Sequence, residues 1–411
     1  MRLDRKTVMS EIYVSAAEAV RLLDIKKDTL YAYVSRGLLQ SVSVPGKRAK
    51  QYLREDIERL QQRKRLRQQP ETEVKQALYW GMPLMNTRIS HIREGQLYYR
   101  DQSLSQVLEG DLETLIALLW GCEPDIFEEV PAAPDYPALL KVLPPHARWR
   151  EKLQLCLVAW GAEDLKLEKR ESSFLPHAVY LLHRVWSSVA PLCGREQSLK
   201  GEPSSKAWSG WLDYFLPVLR SPVQQQLAQL LLVLAAEHEL NISSFTARCI
   251  ASARGNGYAA LTGALAALSG QRHGGQVLDV SDLLLLSDQR GTEAALQHIL
   301  RQRGRLPLGN HPLYPDGDPR WTCFEVRARE LVSSDEKLAS QFQRDMHTLT
   351  RAVEIQGATP TLDWVLAIGS RLLCPELDAL DWFALGRTVG WLAHMTEQYT
   401  SPHLIRPRGE I

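Results

Sequence analysis

Long stretches in the C-terminal half of the sequence repeat apolar residues at intervals of three and four. This spacing places the apolar side chains on one face of an α-helix. The predicted helices are Gln224–Glu239, Tyr258–Leu268, Glu293–Arg303, Asp335–Ile355 and Asp381–Tyr399. Strand signals are sparse, and the clearest is a short hairpin-like segment at Gly95–Arg100. The chain beyond about residue 77 is therefore predicted to be mainly α.

Length and composition narrow the class of protein further. The chain has 411 residues, 45% hydrophobic and 24% charged, which suits two or three globular domains. Its longest apolar run, Leu230–Ala236 with a few neighbours, is shorter than the roughly 20 residues that a bilayer requires. The polar N-terminus has no secretory signal pattern, and the six cysteines lie far apart without metal-ligand spacing. We therefore expect a cytoplasmic protein with no membrane contact and no metal.

Basic residues are concentrated at the N-terminus, although the formal net charge of the chain is only +1. Residues 1–69 carry 16 Lys and Arg against 8 Asp and Glu, and the remaining 342 residues carry 33 against 40. A small polyanion-binding module joined to a neutral body would show this asymmetry. A solvated surface that includes the basic run at 63–69 accounts for the charge equally well, so charge alone leaves both interpretations open.

Cap and turn signals divide the basic block into short elements. Ser15 and Glu18 form a capping-box pattern before an apolar stripe, which predicts a helix over 16–23. Asp28 is predicted to be the N-cap of a second helix. Two short extended segments then flank a basic turn at 45–48, as in a wing. A helix, a turn, a second helix and a wing are all predicted.

This arrangement resembles the winged helix-turn-helix domains of the MerR and excisionase type, through VSAAEAVRLLDIKKDTLYAYVSRGLL, the wing and YLREDIERL. In that family the second helix enters the major groove and the wing contacts the backbone or minor groove of duplex DNA. The implied DNA contacts are Lys27, Thr29, Tyr31, Tyr33 and Arg36 from the second helix, and Lys47, Arg48 and Lys50 from the wing. We expect one of the two tyrosines in the core, because both cannot face the groove. A protein-interaction role for this fold stays open.

The rest of the chain resembles the citrate synthase family, with motifs in matching order and spacing from about Leu84 to Arg408. The motifs are TRISHIREGQLYYR (Thr87–Arg100), EHELNISSFTAR (Glu237–Arg248), GALAALSGQRHGG (Gly263–Gly275), HPLYPDGDPR (His311–Arg320), TPTLDW (Thr359–Trp364), ALGRTVGWLAHMTEQ (Ala384–Gln398) and IRPR (Ile405–Arg408). The resemblance implies a two-domain helical fold whose small domain closes over the substrate. The predicted units are a winged helix-turn-helix domain (1–62), a linker (63–76), a large domain (77–235 plus 345–411) and a small domain (236–344).

The resemblance also implies catalytic roles. Asp363 matches the base that removes a proton from the methyl group of acetyl-CoA. His273 matches the histidine that hydrogen-bonds the thioester carbonyl, and His311 matches the one that polarises the ketone of oxaloacetate. A carbon acid this weak needs both a placed base and charge stabilisation, which is why several groups must converge.

Four further residues match substrate ligands of the family. His238, Arg320 and Arg387 match oxaloacetate ligands, and Arg406 matches an arginine that the second subunit of a homodimer contributes. Guanidinium groups suit a dicarboxylate because their planar fork pairs with carboxylates and stays charged. The resemblance implies no metal and no permanently bound cofactor; acetyl-CoA or propionyl-CoA is a co-substrate.

The sequence departs from the family near the CoA. Leu308–Asn310 replaces the usual glycine-aromatic-glycine, and Trp364 stands where Phe is commoner. Two hypotheses follow: a working synthase that makes citrate or methylcitrate with an appended DNA-binding module, or a non-catalytic transcription regulator whose body senses oxaloacetate or acyl-CoA. We favour catalysis, since a sensor has no need of a base such as Asp363.

Overall fold

The computed structural model describes residues 13–35, 39, 41–43, 50–53, 57, 85–127, 135–164, 174–194, 219, 221–309, 311 and 313–406. The chain divides into two compact units, Met1–Asn86 and Thr87–Ile411. The boundaries predicted for the winged domain, the linker and the large and small domains stay predictions.

The described part of the first unit contains two helices and a three-stranded antiparallel sheet. In chain order the elements are β1 (Tyr13–Ser15), α1 (Ala16–Leu23), α2 (Lys27–Ser35), β2 (Ser41–Ser43) and β3 (Lys50–Leu53), with sheet order β1-β3-β2. The Ser15 hydroxyl accepts a hydrogen bond from the Glu18 amide at 3.2 Å and caps α1, as predicted. Because α2 begins at Lys27, Asp28 lies in its first turn and is not the N-cap. The sheet and both helices close over a small core that includes Leu23, Leu30 and Tyr52.

The second unit begins with a small meander of strands, β4 (Ser90–Arg93), β5 (Gln96–Tyr99) and β6 (Gln102–Ser103). β4 and β5 pair antiparallel, with Ile92 opposite Leu97. Glu94 and Gly95 join them with φ of +52° and +71°, the backbone of a two-residue hairpin turn. The hairpin predicted at Gly95–Arg100 is thus confirmed.

Helices make up most of the described remainder. They are α3 (Leu104–Val107), α4 (Leu112–Trp120), α5 (Trp149–Glu163), α6 (Leu175–Ser187), α7 (Val189–Leu192), α8 (Pro222–Ala235), α9 (Ile242–Ser252), α10 (Gly257–Leu268), α11 (Gln276–Arg290), α12 (Thr292–Arg303), α13 (Pro319–Val332), α14 (Glu336–Gln356), α15 (Leu362–Leu373) and α16 (Ala379–Thr400). No helix in the described ranges is both long and apolar enough to cross a membrane.

The last helix, α16, runs through the centre of the unit and is buried along most of its length. A Cβ atom on Gly386 would lie 2.7 Å from the Cβ of Ala235, and one on Gly390 would overlap the Glu237 carboxylate. These glycines therefore let α8 and the residues after it approach α16 closely. His394, also on α16, lies 2.9 Å from the Glu237 carboxylate through Nε2, and both side chains are fully buried.

The segment after α8 is a turn rather than the predicted continuation of the helix. α8 ends at Ala235, and Glu239 has a φ of +49°, which no helix contains. β4 supports the turn: the Ser90 hydroxyl accepts from the Glu239 amide at 2.9 Å, and the Ile92 amide donates to the Glu239 carboxylate at 3.1 Å. The prediction of a helix to Glu239 is wrong, and His238 therefore lies on a supported turn.

Candidate active site

Two predicted histidines meet around a buried tyrosine. The ring centroids of His238 and His311 are 5.2 Å apart, and the two ring planes are nearly perpendicular. Tyr314 lies against both, with its ring 4.9 Å from that of His311 and its hydroxyl 2.9 Å from Nε2 of His238. Burial, reinforced by the positive charge of Arg320, lowers the pKa of His311 to about 4. The same two causes lower the pKa of His238 well below its ordinary value, so both imidazoles are neutral at neutral pH.

Arg320 is buried in the first turn of α13 and is bound by its own N-cap residue. The Asp318 carboxylate accepts from Nε at 2.9 Å and from Nη2 at 2.6 Å. It also accepts from the amides of Arg320 at 3.0 Å and Leu362 at 3.2 Å. Although burial opposes the charge, Asp318 raises the pKa of Arg320 above its ordinary value. The Nε–Nη2 edge of this guanidinium is thus occupied by Asp318.

Arg387 is the second buried arginine and lies on α16. Its Nε donates to the Ala235 carbonyl at the end of α8, at 2.7 Å. Its guanidinium lies 4.9 Å from the centroid of the Phe383 ring, and the Phe383 and His273 rings form a T-shaped contact with their centroids 5.9 Å apart. Burial lowers the pKa of Arg387 to about 10, against the opposing effect of the Glu237 carboxylate. The group therefore stays charged at neutral pH.

His273 follows α10 and contacts a buried serine. Its Nε2 lies 3.0 Å from the Ser243 hydroxyl, which also accepts from Trp391 Nε1 at 3.1 Å and lies 2.7 Å from Oδ1 of Asn241. The hydroxyl has one hydrogen, which it donates to Oδ1 of Asn241 in this arrangement and can donate instead to Nε2 of His273. When it is donated to His273, the ring proton lies on Nδ1. Burial, with the charge of Arg387, lowers the pKa of His273 to about 4.

Asp363 is the second residue of α15 and is half-buried. Its Oδ2 accepts from the Thr361 hydroxyl at 3.0 Å. Burial raises the pKa of this carboxyl to about 6, even though the Thr361 hydrogen bond and the charge of Arg320 act in the opposite direction. A carboxylate of this kind is mostly ionised at neutral pH and more basic than an ordinary aspartate, which suits a general base.

The two arginines connect these groups. Arg320 acts electrostatically on His238, His311 and Asp363, and Arg387 acts on His238 and His273. Six of the seven predicted catalytic and substrate-binding residues therefore belong to one electrostatic network. The seventh, Arg406, is exposed beyond the end of α16. Among the described residues, no group of three His, Cys, Asp or Glu side chains is arranged to hold a metal ion.

The site also contains residues that the sequence interpretation overlooked: Tyr314, Asp318, Ser243 and Phe383. A signal existed for three of them, because Tyr314 and Asp318 lie within the motif that carries His311 and Arg320, and Ser243 lies within the motif that carries His238. Nothing in the sequence marks Phe383, whose neighbours His273 and Arg387 approach it only in the folded chain.

The first unit holds the candidate nucleic-acid contacts. The described positions are Lys27, Thr29, Tyr31, Tyr33 and Lys50, whereas Arg36, Lys47 and Arg48 lie outside the described residues. Lys27 and Lys50 are exposed. Tyr31 is 48% exposed and Tyr33 packs against the small core, so Tyr33 is the tyrosine of the pair that contributes to folding.

Family models account for both units. Residues 78–408, which are most of the chain, match the family model described as citrate synthase, C-terminal domain. The chain belongs to the citrate synthase family. Residues 14–73 match the model of MerR HTH family regulatory proteins, as the N-terminal resemblance predicts.

Individual relatives agree with this membership. The chain is 34% identical over 183 residues to 2-methylcitrate synthase 2 of Corynebacterium glutamicum, a match covering 44% of this chain and 47% of the relative. It is 28% identical over 357 residues to citrate/2-methylcitrate synthase of Bacillus subtilis, covering 80% and 94%. The chain thus spans about half the length of the first relative and nearly all of the second.

A solved structure confirms the fold of this citrate synthase family member. Citrate synthase from Thermoplasma acidophilum, in a ternary complex with carboxymethyl coenzyme A and oxaloacetate, matches with a TM-score of 0.67. The match is 21% identical in sequence and covers 80% of this chain and 93% of that one. The predicted mainly α, citrate synthase-like fold preceded by a helix-turn-helix region is therefore confirmed.

Proposed function

We propose that the protein is a citrate synthase-type acyltransferase that condenses acetyl-CoA, or propionyl-CoA, with oxaloacetate. The observation that carries the proposal is the convergence of His238 and His311 on Tyr314, with the guanidinium of the buried Arg320 5.6 Å from the same ring and bound to Asp318, which also accepts from the Leu362 amide beside Asp363. Two neutral imidazoles and a carboxylate of raised pKa around a buried cation suit carbanion chemistry beside a dianionic substrate. Homology to citrate and 2-methylcitrate synthases supports both acyl donors equally.

The proposed first step is enolisation. Oδ1 of Asp363 takes a proton from the carbon next to the thioester, the C–H electron pair forms the enol double bond, and the carbonyl π pair moves onto the oxygen, which accepts a hydrogen bond from His273. When the Ser243 hydroxyl donates to Nε2 of His273, Nδ1–H is available to that oxygen. Neutral imidazole is the appropriate donor, because a charged one would be a stronger acid than the reaction needs.

The second step is carbon–carbon bond formation. The enol carbon attacks the ketone carbon of oxaloacetate while the enol oxygen returns to a thioester carbonyl. The neutral His311 donates a hydrogen bond to the ketone oxygen, which takes up one proton as the ketone π pair moves onto it, and this proton balances the one that Asp363 removed. Arg387 and Nη1 of Arg320 bind the carboxylates, with His238 beside them. Water then cleaves the thioester of citryl-CoA or methylcitryl-CoA and releases CoA.

Thiol release from each acyl-CoA in the presence of oxaloacetate tests the proposal. We expect release with at least one of the two, and loss of turnover with retained oxaloacetate binding in Asp363→Ala. No release with either acyl-CoA, in protein that binds oxaloacetate by calorimetry, would refute it. That result would favour the second candidate, a regulator that senses oxaloacetate or acyl-CoA, to which the MerR-type match lends support.

We also propose that residues 1–62 bind duplex DNA and that the protein is a cytoplasmic homodimer. The excess of basic residues and the exposed Lys27 and Lys50 support DNA binding. In the dimer, Arg406 of one protomer would complete the site of its partner, and two recognition helices would be related by a two-fold axis. DNA binding that is equally strong in a variant lacking residues 1–69, or full activity in a monomer, would contradict these proposals.

A further inference from the structure

The backbone that leads to His311 is held by side chains to which the proposed chemistry assigns no role. This segment, Leu306–Leu308, follows the end of α12, where Gly304 has a φ of +71°. It lies in no helix or strand, so its backbone polar groups need other partners. Leu306 and Leu308 are buried, which makes those partners energetically important.

Gln356, the last residue of α14, supplies three of these partners. Its Oε1 accepts from the Leu306 amide at 2.7 Å. Its Nε2 donates to the Leu308 carbonyl at 2.9 Å and to the Leu306 carbonyl at 3.3 Å. The side-chain amide of Gln356 therefore makes the hydrogen bonds that a neighbouring strand would otherwise make to this segment.

Trp364 supplies the partner of the Pro307 carbonyl, and the Leu308 amide donates to the Leu306 carbonyl within the segment, at 2.8 Å. Nε1 of Trp364 donates to the Pro307 carbonyl at 2.7 Å, and the Trp364 side chain is fully buried. Trp364 directly follows Asp363 on α15, and Pro307 precedes His311 by four residues. This hydrogen bond thus joins the helix of the candidate base to the loop of the candidate electrophilic histidine. Phe, the commoner residue at this position in the family, could not make it.

We infer that Trp364 and Gln356 are positioning residues, which hold Leu306–Leu308 and thereby set the place of His311 relative to Asp363. The inference rests on the proposed function for its kinetic consequences. All three consecutive carbonyls of the segment are bonded from α14 or α15, so the segment cannot shift without breaking several buried hydrogen bonds. In condensation the enol carbon and the ketone carbon must meet within bonding geometry, and small displacements of the groups around them are costly in rate.

The test compares Trp364→Phe with a matched control. Trp160 also donates through Nε1 to a backbone carbonyl, that of Asp135, at 2.7 Å, and it lies in the core beside Arg184 rather than in the active-site network. Trp160→Phe therefore loses the same kind of bond. We expect Trp364→Phe to lower kcat/KM for the acyl-CoA about 10- to 100-fold, with oxaloacetate affinity changed less than about threefold. We expect Trp160→Phe to lower Tm similarly but to keep its kinetic constants.

A second readout does not depend on turnover. In Trp364→Phe, and in Gln356→Met, which removes the amide at similar length, hydrogen exchange of the Leu306 and Leu308 amides should accelerate at least about tenfold. It should be unchanged in Trp160→Phe. Unchanged exchange in both variants would overturn the inference by itself, as would kinetic constants of Trp364→Phe equal to those of Trp160→Phe. Absence of thiol release from the parent protein would instead refute the proposed function, and the exchange experiment would still decide whether the segment is held.

Discussion

Asp318 binds Arg320 through both carboxylate oxygens, at 2.9 and 2.6 Å, and the same carboxylate accepts from the amide of Leu362. One buried anion therefore orients the arginine and also anchors the start of α15, one residue before Asp363. The arrangement links a candidate substrate ligand to the candidate base through a single side chain. It also neutralises a cation whose burial would otherwise be costly.

Asp318→Asn should weaken oxaloacetate binding. The substitution keeps the shape of the side chain but removes the charge that holds the Arg320 fork, and hydrogen bonds to charged groups contribute about 1.5–3 kcal/mol each. We expect KM for oxaloacetate to rise about 10- to 100-fold in steady-state kinetics. Glu109→Gln is the control, since its ion pair with Arg327 is solvent-exposed and contributes little. Equal KM values for both variants would show that Asp318 does not orient Arg320.

The pH dependence of kcat should follow the ionisation of the Asp363 carboxyl group. Burial raises the pKa of this carboxyl to about 6, so it accepts a proton as pH falls through 6 and the base is lost. His273 and His311 have pKa values of about 4 and stay neutral across the same range. We therefore expect kcat to fall about tenfold for each pH unit below about 6. A kcat that is constant from pH 5 to pH 8 would argue against Asp363 as the base or against chemistry as the slow step.

Ser243→Ala should slow turnover by removing the hydroxyl 3.0 Å from Nε2 of His273, which fixes the ring proton on Nδ1 when it donates to that nitrogen. A neutral hydrogen bond contributes about 0.5–1.5 kcal/mol, so we expect kcat to fall up to about tenfold while oxaloacetate affinity is retained. Ser188→Ala is a close control, because the Ser188 hydroxyl also accepts from a tryptophan, Trp149, at 3.0 Å and is buried. If both variants are less stable but neither has a lower kcat, Ser243 contributes only to the packing of the folded protein.

Lys50→Ala should reduce the salt dependence of duplex DNA binding. Each phosphate contact adds about 0.9 to the magnitude of the slope of log K against log salt concentration, through release of counterions. We expect a decrease of about one in that magnitude, measured by fluorescence anisotropy between about 50 and 200 mM salt. Lys141→Ala, an exposed lysine of the second unit, removes the same charge and should leave the slope unchanged. Equal slopes for the two variants would remove Lys50 from the DNA contact.

Local sequence patterns predicted the helices of the second unit well where one apolar face dominates. The predicted Asp335–Ile355 and Glu293–Arg303 became Glu336–Gln356 and Thr292–Arg303. The prediction was less accurate at the end of α8, because the apolar pattern continues past Ala235 whereas the chain turns there. The cause of that turn is tertiary: Ser90 and Ile92, nearly 150 residues earlier, provide the hydrogen bonds that hold Glu239.

Residue types and their local spacing were enough to predict the mainly helical class, the capped first helix of the N-terminal unit and the set of histidines, arginines and aspartate that match one family. These features depend on residue types and on spacing along a helix of 3.6 residues per turn, which neighbouring residues specify. The packing of the folded chain was needed to show that Asp318 occupies the fork of Arg320, that Tyr314 lies against two imidazoles and that Trp364 donates to the Pro307 carbonyl. Hydrogen-bond partners and pKa values depend on which groups packing brings within a few ångströms and removes from water, and spacing in the sequence does not specify that.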